Sequence, residues 1–289
     1  MRRLIARFAL RPETGQVFDF TQPVGEQALV PPDSVAWRVF KNPVALFVGG
    51  VTAVLLELAE PRVRTGVWEH TTFRTDPLTR MERTGMAAMV TVYAARSVAE
   101  RMIADVVRLH ERVRGVTPDG VPYHANDPEL LTWVQATASF GFLEAYCRFV
   151  RPLDRRSRDQ YYAEGREAAK LYGALDAPTS VAELEALFEA MRPKLERSPI
   201  VFEFLDILGR TPIFPRPLRG LQSLLIRAAV EITPDWAREI LGLEASYGLR
   251  AGEERRVAAL GRLADRVILP SSPPAQACRR VGVSTRRLR

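Results

Sequence analysis

The 289-residue chain is predicted to be an all-α protein, with a single large globular helical domain of about ten helices. First, residues that accept hydrogen bonds from the free N–H groups of a helix repeatedly stand directly before proline, as expected where helices begin. These pairs are Asn42-Pro43, Asp76-Pro77, Asp127-Pro128, Ser198-Pro199 and Thr233-Pro234. Second, apolar residues recur at helical spacings, whereas the alternation typical of strands is limited to a short stretch at 267–269. Third, no Gly/Ser-rich, acidic or low-complexity linker divides the chain.

Four segments are expected along the chain. Residues 1–33 form an N-terminal extension, 34–245 the main helical domain, 246–270 a closing helix of the same domain, and 271–289 a basic flexible tail. Within the main domain, the apolar segment Pro43–Pro61 offers about 16 residues where a membrane span needs about 20, so we interpret it as a buried core helix. The N-terminal MRRLIARFAL has too short an apolar part for a secretory signal.

Charge and cysteine content limit the partners and the location. The formal net charge is +7, from 41 basic and 34 acidic residues, and only three of the basic residues are lysines. Because the arginines mostly alternate with acidic residues, they predict solvated helix faces and no nucleic-acid partner. Only the tail CRRVGVSTRRLR is purely basic, which makes it a candidate for contact with an anionic membrane. Cys147 and Cys278 form no CxxC motif, which indicates a reducing, cytoplasmic location. The basic tail adds the prediction that the protein associates with a membrane.

Further signals predict where helices begin and end. Two capping boxes, at 97–100 and 180–183, each place a serine hydroxyl three residues before a glutamate, which predicts a helix start. Three glycines stand where helices are expected to stop: Gly115, Gly173 and Gly209.

Two consecutive helices in the middle of the chain carry the candidate site. The first, predicted over about 77–95, has many small residues, which let another helix or a flat ligand approach its backbone closely. These residues are Gly85, Ala87, Ala88, Ala94 and Ala95. The second is predicted over about 97–114. Its apolar stripe passes through Ala99, Ile103, Val106, His110 and Val113, at spacings of 4, 3, 4 and 3, so His110 is expected on the buried face.

His110 has two interpretations at this stage. A histidine on an apolar stripe is commonly a core residue hydrogen-bonded to a carbonyl, but burial also keeps the imidazole neutral and able to bind a metal. On the preceding helix, Arg80, Arg83 and Thr84 share one face, although Arg80 also has Asp76 as an alternative partner. Two guanidinium groups and a hydroxyl beside a buried imidazole would suit an anionic planar cofactor.

Three sequence segments together resemble one family. They are the R-x-x-[KR]-T segment in EPRVRTGVWEHTTFRTDPLTRMERTG, the L-H-x-x-V-x-G segment in VVRLHERVRG, and the Y-x-A-x-D-P-x-L-x-W-V segment in YHANDPELLTWVQATASF. With YYAEGREAAKLYGAL and TPDWAREILG, they resemble the MpaB-type oxygenases, which share a catalytic domain with the rubber oxygenases called latex clearing proteins. The resemblance runs from about Trp37 to Trp236.

The resemblance implies a globin-like helical packing that encloses one b-type haem, with His110 as the iron ligand. It implies that Arg80, Arg83 and Thr84 contact the cofactor and contribute to catalysis, and it extends the candidate catalytic set to Gln135 and His70. The implied reaction uses O₂ to oxygenate a hydrophobic, unsaturated small molecule or an isoprenoid or lipid chain.

Three departures from the family pattern leave alternatives open. Arg83 stands where rubber oxygenases have a lysine, Gln135 replaces the histidine of W-V-H-A-T, and Glu60 replaces the histidine of an H-P pair. The loss at Gln135 motivates the alternative of a non-catalytic helical protein that binds or senses haem or lipid. His70 is equally well explained as a turn residue, and His124 is expected at the surface. No Glu-x-x-His pair, zinc spacing, P-loop, dinucleotide fingerprint or GxSxG motif supports another chemistry.

Overall fold

The computed structural model describes residues 18–288, so the first part of the predicted extension at 1–33 lies outside the described residues. The described chain forms thirteen α-helices, four short 3₁₀ helices and one two-stranded sheet, which confirms the all-α class. The number of α-helices exceeds the predicted value of about ten because several of them are short, with only six to eight residues.

The elements follow one another in this order: α1 (Val35–Phe40), α2 (Pro43–Glu57), α3 (Pro61–His70), α4 (Pro77–Tyr93), α5 (Arg96–His110), β1 (Arg114–Val116), β2 (Pro122–His124), α6 (Pro128–Phe149), α7 (Arg155–Tyr172), α8 (Val181–Met191), α9 (Pro199–Arg210), α10 (Arg219–Ile232), α11 (Asp235–Leu241), α12 (Glu253–Asp265) and α13 (Pro273–Arg280).

Side-chain caps start four of the helices at the predicted Asx-Pro and Ser-Pro pairs. Asn42 accepts hydrogen bonds from the N–H groups of the first turn of α2, and Asp76, Asp127 and Ser198 do the same for α4, α6 and α9. The prediction at Thr233 is wrong, because Thr233 ends α10 and its hydroxyl donates to a carbonyl of that helix. These caps are local, which explains why sequence reasoning found most of them.

The capping box at 97–100 is a wrong prediction. Helix α5 starts one residue earlier, and the Ser97 N–H and hydroxyl both donate to the carboxylate of Glu26, at 2.6 and 3.0 Å. The Glu100 carboxylate lies instead 3.5 Å from the Arg96 guanidinium. A distant acid has therefore replaced the local cap. The helix start predicted at 180–183 is confirmed, since the Ser180 hydroxyl accepts from the Glu183 N–H at 3.2 Å, while the Glu183 carboxylate accepts from the Thr179 N–H rather than from that of Ser180.

The sheet lies elsewhere than predicted. Residues 267–269 form no strand, whereas β1 and β2 pair as an antiparallel hairpin with Gly115 opposite Tyr123. Gly115 therefore belongs to a strand, and Gly209 lies inside α9, so both predicted helix stops are wrong. Gly173 does end α7, with a φ of +94°. Three-residue strands are too short to show alternation in a sequence.

Helices α2 and α6 cross at the centre of the core. Gly49 and Gly141 face each other there, and a Cβ added to Gly49 would lie 2.6 Å from the Gly141 carbonyl oxygen. The segment interpreted as a core helix is indeed largely buried. Among the described residues, no single helix is long and apolar enough to cross a bilayer. Helices α2 and α3 pass that test only as a pair, which is bent by 113° at their junction.

The C-terminal segment expected as a flexible tail is structured where it is described. Residues 273–280 form α13, and Arg280 is 2% exposed. Its guanidinium donates to the carbonyls of Phe20 and Glu26, both at 2.8 Å. The tail therefore packs against the N-terminal segment, because the Arg280 guanidinium bonds carbonyls that the sequence places more than 250 residues away.

Candidate active site

His110 is the last residue of α5, about four residues before the helix end that the sequence predicted. The chain then turns, with the Val113 N–H donating to the His110 carbonyl at 3.0 Å, and enters the hairpin. On the return, the Ala125 N–H donates to the Val113 carbonyl at 2.9 Å. The hairpin thereby brings the residues that follow β2 beside the imidazole. The stripe is fully buried at Ala99 and Ile103 and becomes half-buried towards His110.

The two ring nitrogens of His110 have different surroundings. Nδ1 is enclosed and has no hydrogen-bond partner among the described residues, whereas Nε2, also without a protein partner, keeps accessible surface. Burial lowers the pKa of His110, and the positive charge of Arg80 lowers it further, while Asn126 acts in the opposite direction. The ring is therefore neutral at pH 7, and one of its nitrogens carries a lone pair.

Arg80 and Glu57 lie deep in the fold close to this ring. Burial raises the pKa of Glu57 to about 7, partly offset by the charge of Arg80, and burial lowers the pKa of Arg80. Both side chains nevertheless keep part of their surface accessible, and neither makes a side-chain hydrogen bond or ion pair within the described chain. Arg80 does not pair with Asp76, whose carboxylate instead caps α4. Arg80 and Glu57 are therefore an electrostatically coupled acid and base close to His110, and the carboxyl group is only partly ionised near pH 7.

Glu57 makes the stability of the protein depend on pH. Because its folded-state pKa of about 7 lies above the value of 4.5 for an unperturbed glutamate, the free energy of unfolding falls as the pH rises from about 4.5 to 7. We expect Glu57→Gln to match the wild type near pH 5 and to be more stable above pH 8, by at most about 3 kcal/mol. Urea unfolding at both pH values measures this. For the exposed control Glu239→Gln, the difference in free energy of unfolding from the wild type should be the same at both pH values. If that difference were also the same at both pH values for Glu57→Gln, the assignment would be wrong.

The two other residues of the predicted cofactor face lie on α4 with Arg80. Arg83 is half-buried, and its charge lowers the pKa of Arg80. Thr84 is exposed, and its hydroxyl donates to the Arg80 carbonyl at 3.0 Å. The hydroxyl of Thr84 is thus engaged with its own helix, as is common for threonine.

Gln135 and Glu60 occupy the positions of the family departures. Gln135 is half-buried on α6, and its amide donates to the Ser139 hydroxyl at 3.3 Å on the side that faces Gly165 of α7. Glu60 is buried and caps α3, because its carboxylate accepts from the Val63 N–H at 2.7 Å. Capping of α3 therefore explains why a glutamate stands at position 60. The contacts of Gln135 are to α6 and α7.

The remaining histidines contact the hairpin. His70 is exposed, and its Nε2 lies 3.1 Å from the hydroxyl of Tyr123, which also donates to Glu69 at 3.3 Å. His124 is half-buried, with its Nε2 3.4 Å from the Glu111 carbonyl. Tyr123 therefore ties the hairpin to α3, and His124 ties it to the turn after α5.

Other features of the described residues do not form a competing site. No group of three or more His, Cys, Asp or Glu side chains could hold a metal ion in this part of the chain. Two surface hollows, of about 580 and 450 Å³, lie along α12 and at the end of α11, and His110 lines neither. Cys147 and Cys278 are free thiols, and burial raises the pKa of Cys147 to about 11.

Sequence reasoning missed two polar residues of this region. Glu57 stood as the one acid in an otherwise apolar helix, which was the signal available for it. Asn126 stands directly before the Asp127 cap, and nothing in its local sequence distinguishes it from an ordinary turn residue. Its neighbour His110 is brought to it only by the hairpin.

The described residues form one all-α domain, and the family to which most of the chain is matched makes it an oxygenase enzyme domain. The chain belongs to the family described as ER-bound oxygenase mpaB/B′/rubber oxygenase, catalytic domain, which matches residues 37–266. This match confirms the resemblance recognised in the sequence. No curated protein and no solved structure matches the chain.

Proposed function

We propose that this oxygenase domain binds a single b-type haem through Nε2 of His110 and uses O₂ to oxygenate a hydrophobic, unsaturated molecule. The observation that supports the proposal is the asymmetry of the His110 ring, with an enclosed Nδ1 and an Nε2 that is not enclosed and that no described side chain or backbone group bonds. A lone imidazole suits an iron whose remaining protein-independent ligands would come from a porphyrin. Haem bound there would supply the iron at which O₂ is activated.

The charged groups near His110 suit an anionic cofactor. Glu57 is the carboxylate whose charge acts on Arg80, and because burial raises the pKa of Glu57 to about 7 it is only partly ionised near pH 7, which would leave charge on the guanidinium for the propionates. Arg83, one turn further along α4, adds positive charge on the same helix. The Thr84 hydroxyl would hydrogen-bond the cofactor only if its present bond to the Arg80 carbonyl were broken. Gln135 and His70 stay candidate catalytic residues on the family resemblance alone, and their contacts in the structure are to α6, α7 and Tyr123.

The proposed substrate is an isoprenoid or lipid chain, or another apolar unsaturated molecule. Apolar side chains of α4 and α5 that remain half-buried, such as Met81, Met89 and Val106, would contact such a chain. Aliphatic and thioether groups bind it without demanding hydrogen bonds, which leaves the position of the double bond to be selected by shape.

We further propose a cytoplasmic location with peripheral membrane contact. Arg279, Arg286 and Arg287 are exposed near the C-terminus and would meet anionic headgroups, whereas Arg280 is buried and takes no part. Such contact would bring the protein to the layer in which apolar substrates dissolve.

Absorption spectroscopy tests the haem proposal. We expect the protein, as purified or after reconstitution with haemin, to show a Soret band that His110→Ala abolishes. His70→Ala and His124→Ala are matched controls and should keep the band, because each ring engages the protein through Nε2, to Tyr123 and to the Glu111 carbonyl respectively. After reduction, O₂ consumption should rise when a polyunsaturated apolar substrate is added. A protein that stays colourless after reconstitution, or a band that survives in His110→Ala, would overturn the proposal.

A further inference from the structure

Asn126 places a second partnerless polar atom beside the His110 ring. Its Nδ2 donates to the Val107 carbonyl at 3.0 Å, which anchors the amide to α5 one turn before His110. Its Oδ1 is enclosed and has no hydrogen-bond partner among the described residues, as is also true of His110 Nδ1. The anchor on Val107 places the amide next to the His110 turn, and Asn126 raises the pKa of His110, as an acceptor close to the imidazole does.

The orientation of the Asn126 amide follows from its bond to α5. A backbone carbonyl only accepts hydrogen bonds, so the NH₂ end of the amide must face Val107 and the oxygen must face the other way. The atom that Asn126 turns towards His110 is therefore an acceptor. A neutral imidazole has one N–H, and an enclosed nitrogen next to an acceptor is stabilised when it carries that hydrogen.

Leaving both atoms unsatisfied would be costly. A buried polar atom without a partner destabilises the folded state, whereas a bond between these two atoms satisfies both at once. No other described side chain competes, since neither atom has another hydrogen-bond partner.

We propose that Asn126 is a positioning residue, which accepts the Nδ1–H hydrogen of His110 and so leaves Nε2 as the only unprotonated nitrogen of the ring. The inference rests on the proposed function, because it makes Nε2 the atom presented to the haem iron. Asn126 also links the ring to α5 through Val107, so the bond would limit rotation of the imidazole.

Nitrogen NMR of the haem-free protein tests the bond without any cofactor. At a pH where His110 is neutral, the wild type should carry the ring hydrogen on Nδ1. Asn126→Leu should move it largely to Nε2, and Asn126→Asp, which keeps an acceptor, should leave it on Nδ1. Tyr123→Phe is the matched control, because it loosens the same hairpin without touching the ring of His110 and should not change the tautomer. A wild-type ring protonated on Nε2, or an unchanged tautomer in Asn126→Leu, would overturn the proposal.

Resonance Raman spectroscopy of the ferrous haem-loaded protein gives a second readout. The iron–histidine stretching frequency should rise in Asn126→Asp, whose anionic acceptor strengthens the bond, and fall in Asn126→Leu. Haem affinity should fall about 10-fold in Asn126→Leu. If haem does not bind but the tautomer behaves as expected, the haem proposal fails while the role of Asn126 stands. Equal stretching frequencies in the wild type and both variants would overturn the role of Asn126.

Discussion

Gly141→Ala is expected to destabilise the protein by at least about 3 kcal/mol, or to prevent it from folding. Gly141 meets Gly49 where α6 crosses α2, and the added methyl group would overlap the Gly49 carbonyl oxygen. Backbone atoms of two central helices cannot move aside as a flexible side chain does, so the helices would have to separate. Each of them carries much of the buried core.

Urea unfolding of the variant measures this cost. Gly85→Ala is the matched control, because Gly85 also lies inside a helix but an added Cβ meets nothing within 4 Å. There the substitution should stabilise the protein by about 0.5–1 kcal/mol, since alanine is the better helix former. If Gly141→Ala were as stable as the wild type, the close crossing of α2 and α6 would be incorrect.

Arg280→Ala is expected to cost about 3 kcal/mol, because it leaves one buried and one partly buried carbonyl without their donors. The Arg280 guanidinium bonds Phe20 and Glu26, and Glu26 in turn caps α5 through Ser97. Loss of this residue should therefore loosen the N-terminal segment and the start of α5 together.

The neighbouring Arg279 provides the control for this prediction. Arg279 is exposed, and Arg279→Ala removes the same charge from the same helix. It should change the free energy of unfolding by no more than about 0.5 kcal/mol. Hydrogen exchange should show faster exchange of the α5 amides near Ser97 in Arg280→Ala alone. Equal stability of the two variants would mean that 273–288 is the loose tail that the sequence suggested.

Sequence reasoning found the features that depend on neighbouring residues. The caps at Asn42, Asp76 and Asp127 are confirmed because a side chain reaches only two or three residues along its own helix. The apolar period placed His110 on the inner side of α5, and the family segments identified the oxygenase family. Each of these signals is complete within a short stretch of sequence.

Long-range contacts account for what sequence reasoning did not find. Glu26 caps α5 from 71 residues away, and the hairpin that carries Asn126 consists of strands too short to show a period. Whether a serine at a helix start hydrogen-bonds the glutamate three residues later or a distant one depends on which carboxylate the folded chain brings close to it.

By itself, the sequence determined the all-helical class, most helix starts, the oxygenase family and the candidate histidine, because these depend on local hydrogen bonds, helical period and short motifs. Only the tertiary structure decided that Nδ1 of His110 is enclosed, that Glu57 and Arg80 lie deep and interact electrostatically, and that Asn126 lies near the ring. The physical reason is that burial, pKa and hydrogen-bond partners depend on groups that come together in space, from parts of the chain far apart in sequence.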